Sequence, residues 1–256
     1  MNESEIKLKP LGWGWSIVVF LITAITLRVT HYVFAPAIKT VTGKPYLVGY
    51  LIGWVSTMFL FFLASLIAYK IDGHPITKEA FISRYRLDKM KRADWLWTLA
   101  MIVFSIVFLT ALSFTAKLLK PIPLFSPHPL FPPDMVDITN NLKLGVLFEM
   151  PLQGEWWLIA VYFIGWFLNI AGEEFWYRGW MLPRQEVAFR KYAWIINGLM
   201  FNFQHTFQPW NMLAMLPGSL FISYAVQRQR KTWMSIIWHG LVNVSLLIFI
   251  IQGVIG

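Results

Sequence analysis

Long runs of apolar residues without a charged side chain are the feature that most constrains this chain. The clearest runs cover residues 46–69, 95–116, 156–172 and 232–256. A helix needs about 20 such residues to cross the hydrocarbon core of a bilayer. Hydrophobic residues make up 57% of the chain and charged residues only 14%, against about 25% charged residues in soluble domains. A water-soluble enzyme and a disordered chain are therefore both excluded.

The complete set of apolar runs predicts an all-α fold, a polytopic transmembrane helix bundle. A further run covers residues 11–34, and residues 193–227 hold no Asp, Glu, Lys or Arg. The second of these would be about 50 Å long as one helix, which is too long for a single crossing. A break at Gln208 and Pro209 divides it into two short spans. We expect about seven spans, and eight if the loop at 121–151 enters the bilayer.

Lysine and arginine predict the orientation of the bundle. Most of the 22 basic residues lie before the first run or in the segments 70–92, 178–191 and 228–231. Cytoplasmic loops carry such an excess, so the N-terminus is expected in the cytoplasm and the C-terminus outside. The net charge of +9 comes from these flanking residues. We therefore expect membrane lipid as a partner and no nucleic acid.

Two connections differ from ordinary loops. Residues 78–90 mix apolar and basic side chains, which predicts an amphipathic segment lying on the anionic inner leaflet. The outer segment 121–151 holds seven of the 14 prolines and cannot form a regular helix; it is either a spacer or a lid. We divide the chain into an N-terminal transmembrane region, residues 1–153, with three spans and both connections, and a catalytic domain, residues 154–256.

Ionisable side chains inside spans are costly to bury, so each marks a candidate functional position. The set consists of Arg28, His31, Glu173, Glu174, Arg178, His205 and His239, with Asn243 as a polar companion. Arg28 and His31 lie near the outer end of the first span, where such side chains can reach the interface. We interpret these two as anchors. The other residues cluster in the catalytic domain.

Helical spacing relates the clustered residues to one another. Glu174 and Arg178 are four residues apart in the acid-before-base order that favours an ion pair. This pair would fix the helix that presents Glu173. His239 and Asn243 are also four residues apart and share one helical face.

The depth of these residues predicts that they meet. Counted from the proposed inner ends of their spans, they lie at depths that helix tilt can bring to one level. We expect a buried polar cavity formed by Glu173, His205, His239 and Asn243. The ring of Phe201 would pack one turn below His205.

A carboxylate, two imidazoles and a carboxamide in one pocket indicate hydrolysis. Glu173 and His205 would hold and deprotonate a water molecule for attack on a peptide carbonyl. His239 and Asn243 would donate hydrogen bonds to the developing oxyanion. Polar contacts that only hold a bundle together are one alternative, and the proton relay of a proton-coupled transporter is another. Two neighbouring carboxylates are expensive to bury for packing alone, which favours hydrolysis.

Three motifs occur in order on separate predicted spans. Residues 173–178 fit EExxxR, residues 201–205 fit FxxxH and residues 239–243 fit HxxxN. This pattern resembles that of the CPBP intramembrane proteases, also called the CAAX protease and bacteriocin-processing family or the Abi family. The type 2 CAAX prenyl endopeptidases belong to it. The resemblance covers roughly residues 154–256, and no motif position departs from the pattern.

The resemblance implies a glutamate-dependent endopeptidase in which Glu173 and His205 activate water and His239 and Asn243 line the oxyanion hole. Family members are described both as metalloproteases and as metal-independent. We expect no required cofactor; the alternative is zinc held by Glu173, His205 and His239. The chain has no cysteine, and it lacks the HExxH, GxSxG and GxGD patterns of other intramembrane proteases. A non-proteolytic scaffold or regulator with the same fold stays a second interpretation.

The resemblance also limits the substrate and the location. The expected substrate is a membrane-associated peptide or protein, with lipidated proteins, leader peptides and pheromone peptides as the alternatives. A short polar N-terminus without an organelle signal points to a bacterial cell membrane, where the protein would be a multi-pass integral membrane protein.

Overall fold

The computed structural model describes residues 8–137, 141 and 143–256. Most of these residues are helical, so the predicted all-α class is confirmed. The first seven residues of the predicted N-terminal region and residues 138–140 and 142 of the proline-rich segment lie outside the described residues.

The N-terminal part begins with two long apolar helical segments, and the first of them is called the first rod below. Helix α1 (Trp13–Val29) continues through a π-helical turn (Thr30–Phe34) into α2 (Ala35–Thr42). This rod ends at Gly43, whose φ of 67° lies in the left-handed region that glycine adopts readily. Helix α3 (Tyr46–Ile71) then runs back along the rod.

One 20-residue helix and several short elements follow before and within the proline-rich segment. They are α4 (Lys78–Arg84), α5 (Arg92–Ala111), α6 (Thr115–Leu119), a 3₁₀ turn (Pro123–Phe125), α7 (Pro133–Val136) and the antiparallel pair of β1 (Val146–Leu147) and β2 (Met150–Pro151). Helix α4 covers only part of the amphipathic segment predicted at 78–90. It ends early because Arg86 takes a left-handed backbone conformation with a φ of 56°.

The C-terminal part carries the three motifs. Its elements are α8 (Trp157–Glu173), a π-helical segment (Glu174–Met181), α9 (Leu182–Phe189), 3₁₀ turns (Arg190–Tyr192, Gln204–Phe207 and Pro209–Asn211), α10 (Ala193–Phe203), α11 (Met212–Gln229) and α12 (Thr232–Ile255). The predicted break at Gln208 and Pro209 is present. Regular helix already stops at Phe203, because His205 has a non-helical ψ of 21°.

Five stretches of the described residues are long and apolar enough to cross a membrane: Trp13–Thr42, Tyr46–Ile71, Arg92–Ala111, Trp157–Phe207 and Thr232–Ile255. These support an integral membrane protein. The fourth stretch has 51 residues, far more than the roughly 20 that one crossing needs. The number of about seven spans stays a prediction.

Close contact between α3 and α8 fixes the position of the first motif. A side chain on Gly165 would lie 2.4 Å from the ring of Trp54, and one on Gly172 would lie 2.8 Å from the carbonyl oxygen of Met58. Small residues let membrane helices approach each other in this way. Since Gly172 directly precedes Glu173, this contact sets the depth of the Glu173 side chain.

A buried polar network joins four helices. Ser223 on α11 donates to Asn197 Oδ1 at 2.9 Å, and the amide of Asn197 donates to Gln185 Oε1 at 2.9 Å. Gln185 in turn donates to Ser16 Oγ at 3.1 Å. Such contacts act as interhelical glue where water is absent. They hold α1, α9, α10 and α11 in one register.

Gly172→Ala should lower the free energy of unfolding by about 1 to 3 kcal/mol, the usual cost of an overpacked contact. The added methyl group meets a backbone oxygen that cannot rotate away. Thermal unfolding in detergent measures the effect. Gly14→Ala is the matched control, because a side chain there would meet no described atom within 4 Å. An equal unfolding temperature for both variants would contradict the close contact.

Candidate active site

The EExxxR motif lies where α8 changes into the π-helical segment. Glu173 is the last residue of α8, and Glu174 begins the wider turns. Such π-helical insertions occur frequently at functional sites. Glu173 is 4% exposed, and Glu174 and Arg178 are fully buried at 0%. Both carboxyl groups of the motif therefore lie inside the bundle.

The structure contains the ion pair predicted from the spacing of Glu174 and Arg178. Arg178 Nη1 lies 3.3 Å from Glu174 Oε1. The guanidinium also lies over the ring of Phe201, with 3.7 Å between its central carbon and the ring centroid. A cation over an aromatic face is stabilised most when it is desolvated, as here. Phe201 thus supports Arg178 as well as packing against His205.

His239 belongs to a hydrogen-bonded chain that ends on Glu174. The indole of Trp54 only donates, so Asn169 presents Oδ1 to it at 3.3 Å and turns its amide group to His239 Nε2 at 2.9 Å. Nε2 accepts this bond, and therefore the ring hydrogen is on Nδ1, which donates to Glu174 Oε1 at 3.0 Å. Both nitrogens of His239 are engaged.

His205 lies on a turn that also contacts Glu173. Its Nδ1 donates to the carbonyl of Phe201 at 2.9 Å, so a neutral ring keeps an unprotonated Nε2. The neighbouring Gln204 donates from Nε2 to Glu173 Oε2 at 3.2 Å. The carboxylate of Glu173 therefore joins the His205 turn through Gln204. The Phe201 ring packs edge-on against His205, with centroids 5.1 Å apart, as predicted.

Arg28 and His31 do not act as interface anchors, and that prediction is wrong. Arg28 Nη1 donates to the carbonyl of Thr206 at 2.6 Å. His31 is 1% exposed, and its ring stacks on Phe207 with centroids 4.2 Å apart. Phe207 lies 5.6 Å from the ring of His205. These side chains turn inward because the His205 turn lies beside the π-helical end of the first rod.

Asn243 lies one turn beyond His239 on α12 and is half-buried. Its side chain makes no hydrogen bond with any residue that the structure describes. The two residues of the third motif therefore lie in different environments. His239 is fully engaged in the network around Glu174, and the carboxamide of Asn243 is free to bind a ligand.

The donor set proposed for zinc does not fit a metal ion in this arrangement. Within residues 8–137, 141 and 143–256, no three His, Asp or Glu side chains lie close enough to share an ion. Zinc binds a neutral imidazole through a free nitrogen lone pair. Both nitrogens of His239 are already used by Asn169 and Glu174.

Sequence reasoning missed three residues that shape the site and gave a fourth a different role. Asn169 and Gln204 carried a usable signal, since each is a polar residue in an uncharged span, one turn before Glu173 or adjacent to His205. Arg28 was noticed and misinterpreted. Trp54 carried no signal, because one tryptophan among 14 cannot be distinguished by its sequence context.

The fold and the site together define a class, an all-α membrane protein with buried carboxyl groups in its helix bundle. The family model described as "Type II CAAX prenyl endopeptidase Rce1-like" matches residues 155–245, which include all three motifs. No curated protein and no solved structure matches the chain. This match supports the resemblance to the CPBP family of CAAX proteases that the three motifs indicate.

Arg178→Ala should reduce the amount of folded protein, because it leaves Glu174 as a buried charge without its cation. Breaking such a pair typically costs about 3 to 5 kcal/mol. Arg178→Lys should recover little of this loss, since lysine lacks the planar fork that spans a carboxylate and an aromatic face. Thermal unfolding and size-exclusion profiles measure the effect, with the exposed Arg92→Ala as control. If Arg178→Ala were as stable as the wild type, the ion pair would have no structural role.

Proposed function

We propose that the protein is an intramembrane endopeptidase that hydrolyses a peptide bond with water activated by Glu173 and His205. One observation carries the proposal. The buried carboxylate of Glu173 is joined through Gln204 to the turn that presents the free Nε2 of His205. This arrangement lies within the segment that matches a family of endopeptidases. Residues 154–256 would be the catalytic domain, and residues 1–153 the N-terminal region that supports it.

The proposed reaction begins with a water molecule between Glu173 and His205. The carboxylate orients the water by accepting one of its hydrogens, and Gln204 fixes the direction of that carboxylate. His205 Nε2 accepts a proton as the water oxygen bonds to the carbonyl carbon of the peptide. The protonated imidazole then gives this proton to the leaving amine as the carbon–nitrogen bond breaks. The resting tautomer of His205 is the one that this sequence requires.

The oxyanion would be stabilised by Asn243 first. Its carboxamide is free to donate, whereas His239 donates from Nδ1 to Glu174 and accepts at Nε2 from Asn169. His239 would become a second donor once Nε2 carries a proton and the Asn169 amide releases it. The Glu174 carboxylate at Nδ1 would stabilise that imidazolium. Donors held in place before reaction stabilise developing charge most effectively.

The same proposal covers substrate, cofactor and location. The site lies inside apolar helices, so a membrane-associated peptide or protein is the substrate class; lipidated proteins, leader peptides and pheromone peptides are its candidate members. No cofactor is required in this mechanism. The protein would lie in a bacterial cell membrane with its N-terminus in the cytoplasm, as the excess of basic residues on that side favours.

Glu173→Gln should lower kcat about 100- to 10,000-fold, because general base catalysis by His205 depends on the water that the Glu173 carboxylate orients. The readout is cleavage of membrane peptides by purified protein, followed by mass spectrometry. Glu79→Gln is the matched control, because Glu79 is an exposed glutamate on α4. Equal cleavage by wild type, Glu173→Gln and His205→Ala would overturn the proposed mechanism, and absence of cleavage by wild type would favour the scaffold interpretation.

Asn243→Ala should lower kcat about 100- to 1000-fold with little change in KM, since one oxyanion donor is typically worth that much. Asn243→Asp should be at least as damaging, because a carboxylate repels the developing charge. The same assay is run on wild type with and without a strong chelator. Full activity in chelator supports the metal-free mechanism, and loss of activity restored by added zinc would contradict it.

A further inference from the structure

A polar cavity of about 300 Å³ lies at one end of the bundle, away from the catalytic residues. Four basic side chains line it: His74, Arg84, Arg86 and Arg230. Three of them lie within residues 74–86, and the fourth lies far along the chain, at the end of α11. Two hydrogen bonds at this end, from Thr232 N to Arg86 O at 3.0 Å and from Trp233 Nε1 to Leu87 O at 2.7 Å, hold these segments together.

The carboxylates around the cavity do not balance its cations. Arg86 is paired with Glu186 through a 2.7 Å hydrogen bond. Arg184 is in direct contact with Asp72, and Arg84 lies 3.9 Å from the same carboxylate. Two acidic groups thus face three arginines, of which Arg84 and Arg86 line the cavity, before Arg230 is considered. The cavity has an excess of positive charge.

Two buried nitrogens at the cavity have no protein partner. Arg84 is 9% exposed and His74 is 7% exposed. Within the described residues, Arg84 Nε and His74 Nε2 have no hydrogen-bond partner. Burial, and next the charge of Arg184, lower the pKa of Arg84 to about 10. Unsatisfied buried polar groups are costly, so these nitrogens indicate a missing ligand.

Arg230 is the exposed member of this set of cations. It is exposed at the end of α11, and its guanidinium forms no ion pair with a described residue. Near the cavity, the side chains of Ile71 and Ile76 are also exposed. The excess of basic residues assigns this end of the bundle to the cytoplasmic leaflet. A ligand here would meet cations and an aliphatic surface together.

We propose that this cavity binds a phosphate-type anion, supplied either by the headgroup of an anionic lipid or by free phosphate. Guanidinium groups bind phosphate oxygens in a planar, two-pronged geometry. Basic pockets between membrane helices on the cytoplasmic side favour anionic headgroups. Arg84 also donates to the carbonyls of Gly179 and Trp180, directly after Arg178. The anion would therefore bind beside the π-helical segment without contacting the catalytic residues.

The test uses the full chain in nanodiscs of phosphatidylcholine. Short-chain phosphatidylglycerol and, separately, inorganic phosphate are titrated and followed by calorimetry. Saturable binding of the lipid alone assigns the site to a headgroup. Binding of inorganic phosphate with equal or greater affinity assigns it to the soluble anion. Absence of saturable binding by either probe would overturn the proposal.

Three variants locate the binding. Arg230→Gln should weaken the affinity about fivefold, the effect of one arginine near an anionic surface. Arg228→Gln is the matched control, an exposed arginine of the same helix that does not line the cavity. Ser83→Glu puts a carboxylate at the exposed rim and should abolish binding without disturbing a buried contact. Equal affinities of all three variants and wild type would place binding elsewhere and contradict the proposal.

Discussion

The neutralisation of Glu174 inside the apolar bundle is the interaction on which the rest of the site depends. Arg178 and His239 both contact the same carboxylate oxygen. Through them the charge is linked to Phe201 on α10, to α12, and by way of Asn169 to Trp54 on α3. An ionised carboxylate without these partners would not be tolerated at this depth. Four helices thus converge on one oxygen atom.

The two neighbouring carboxylates therefore have different roles. Glu174 takes the cation and the imidazole, and its role is to assemble the helices. Glu173, one position earlier, has only the neutral amide of Gln204 as its hydrogen-bond partner among the described residues. Its remaining lone pairs are therefore available for water. A pair of glutamates that looks redundant in sequence has two different environments in the structure.

The sequence predicted those features that follow from apolar length and helical spacing: the membrane helices, the Glu174–Arg178 pair and the packing of Phe201 on His205. It could not predict contacts between distant helices. The inward turn of Arg28 and His31 depends on the π-helical turn between α1 and α2. The engagement of His239 depends on Trp54 and Asn169. A polar residue in an uncharged span marks Asn169 as a candidate, but its partners on other helices cannot be predicted from the spacing within one helix.

The π-helical segment after Glu173 gives the first motif a fixed length as well as a fixed composition. A π-helical turn holds about one residue more than an α-helical turn. In α-geometry, by contrast, one residue more or fewer rotates everything before it by about 100° relative to everything after it. Substitutions in this segment would change individual contacts. A one-residue deletion would remove the wide turn itself.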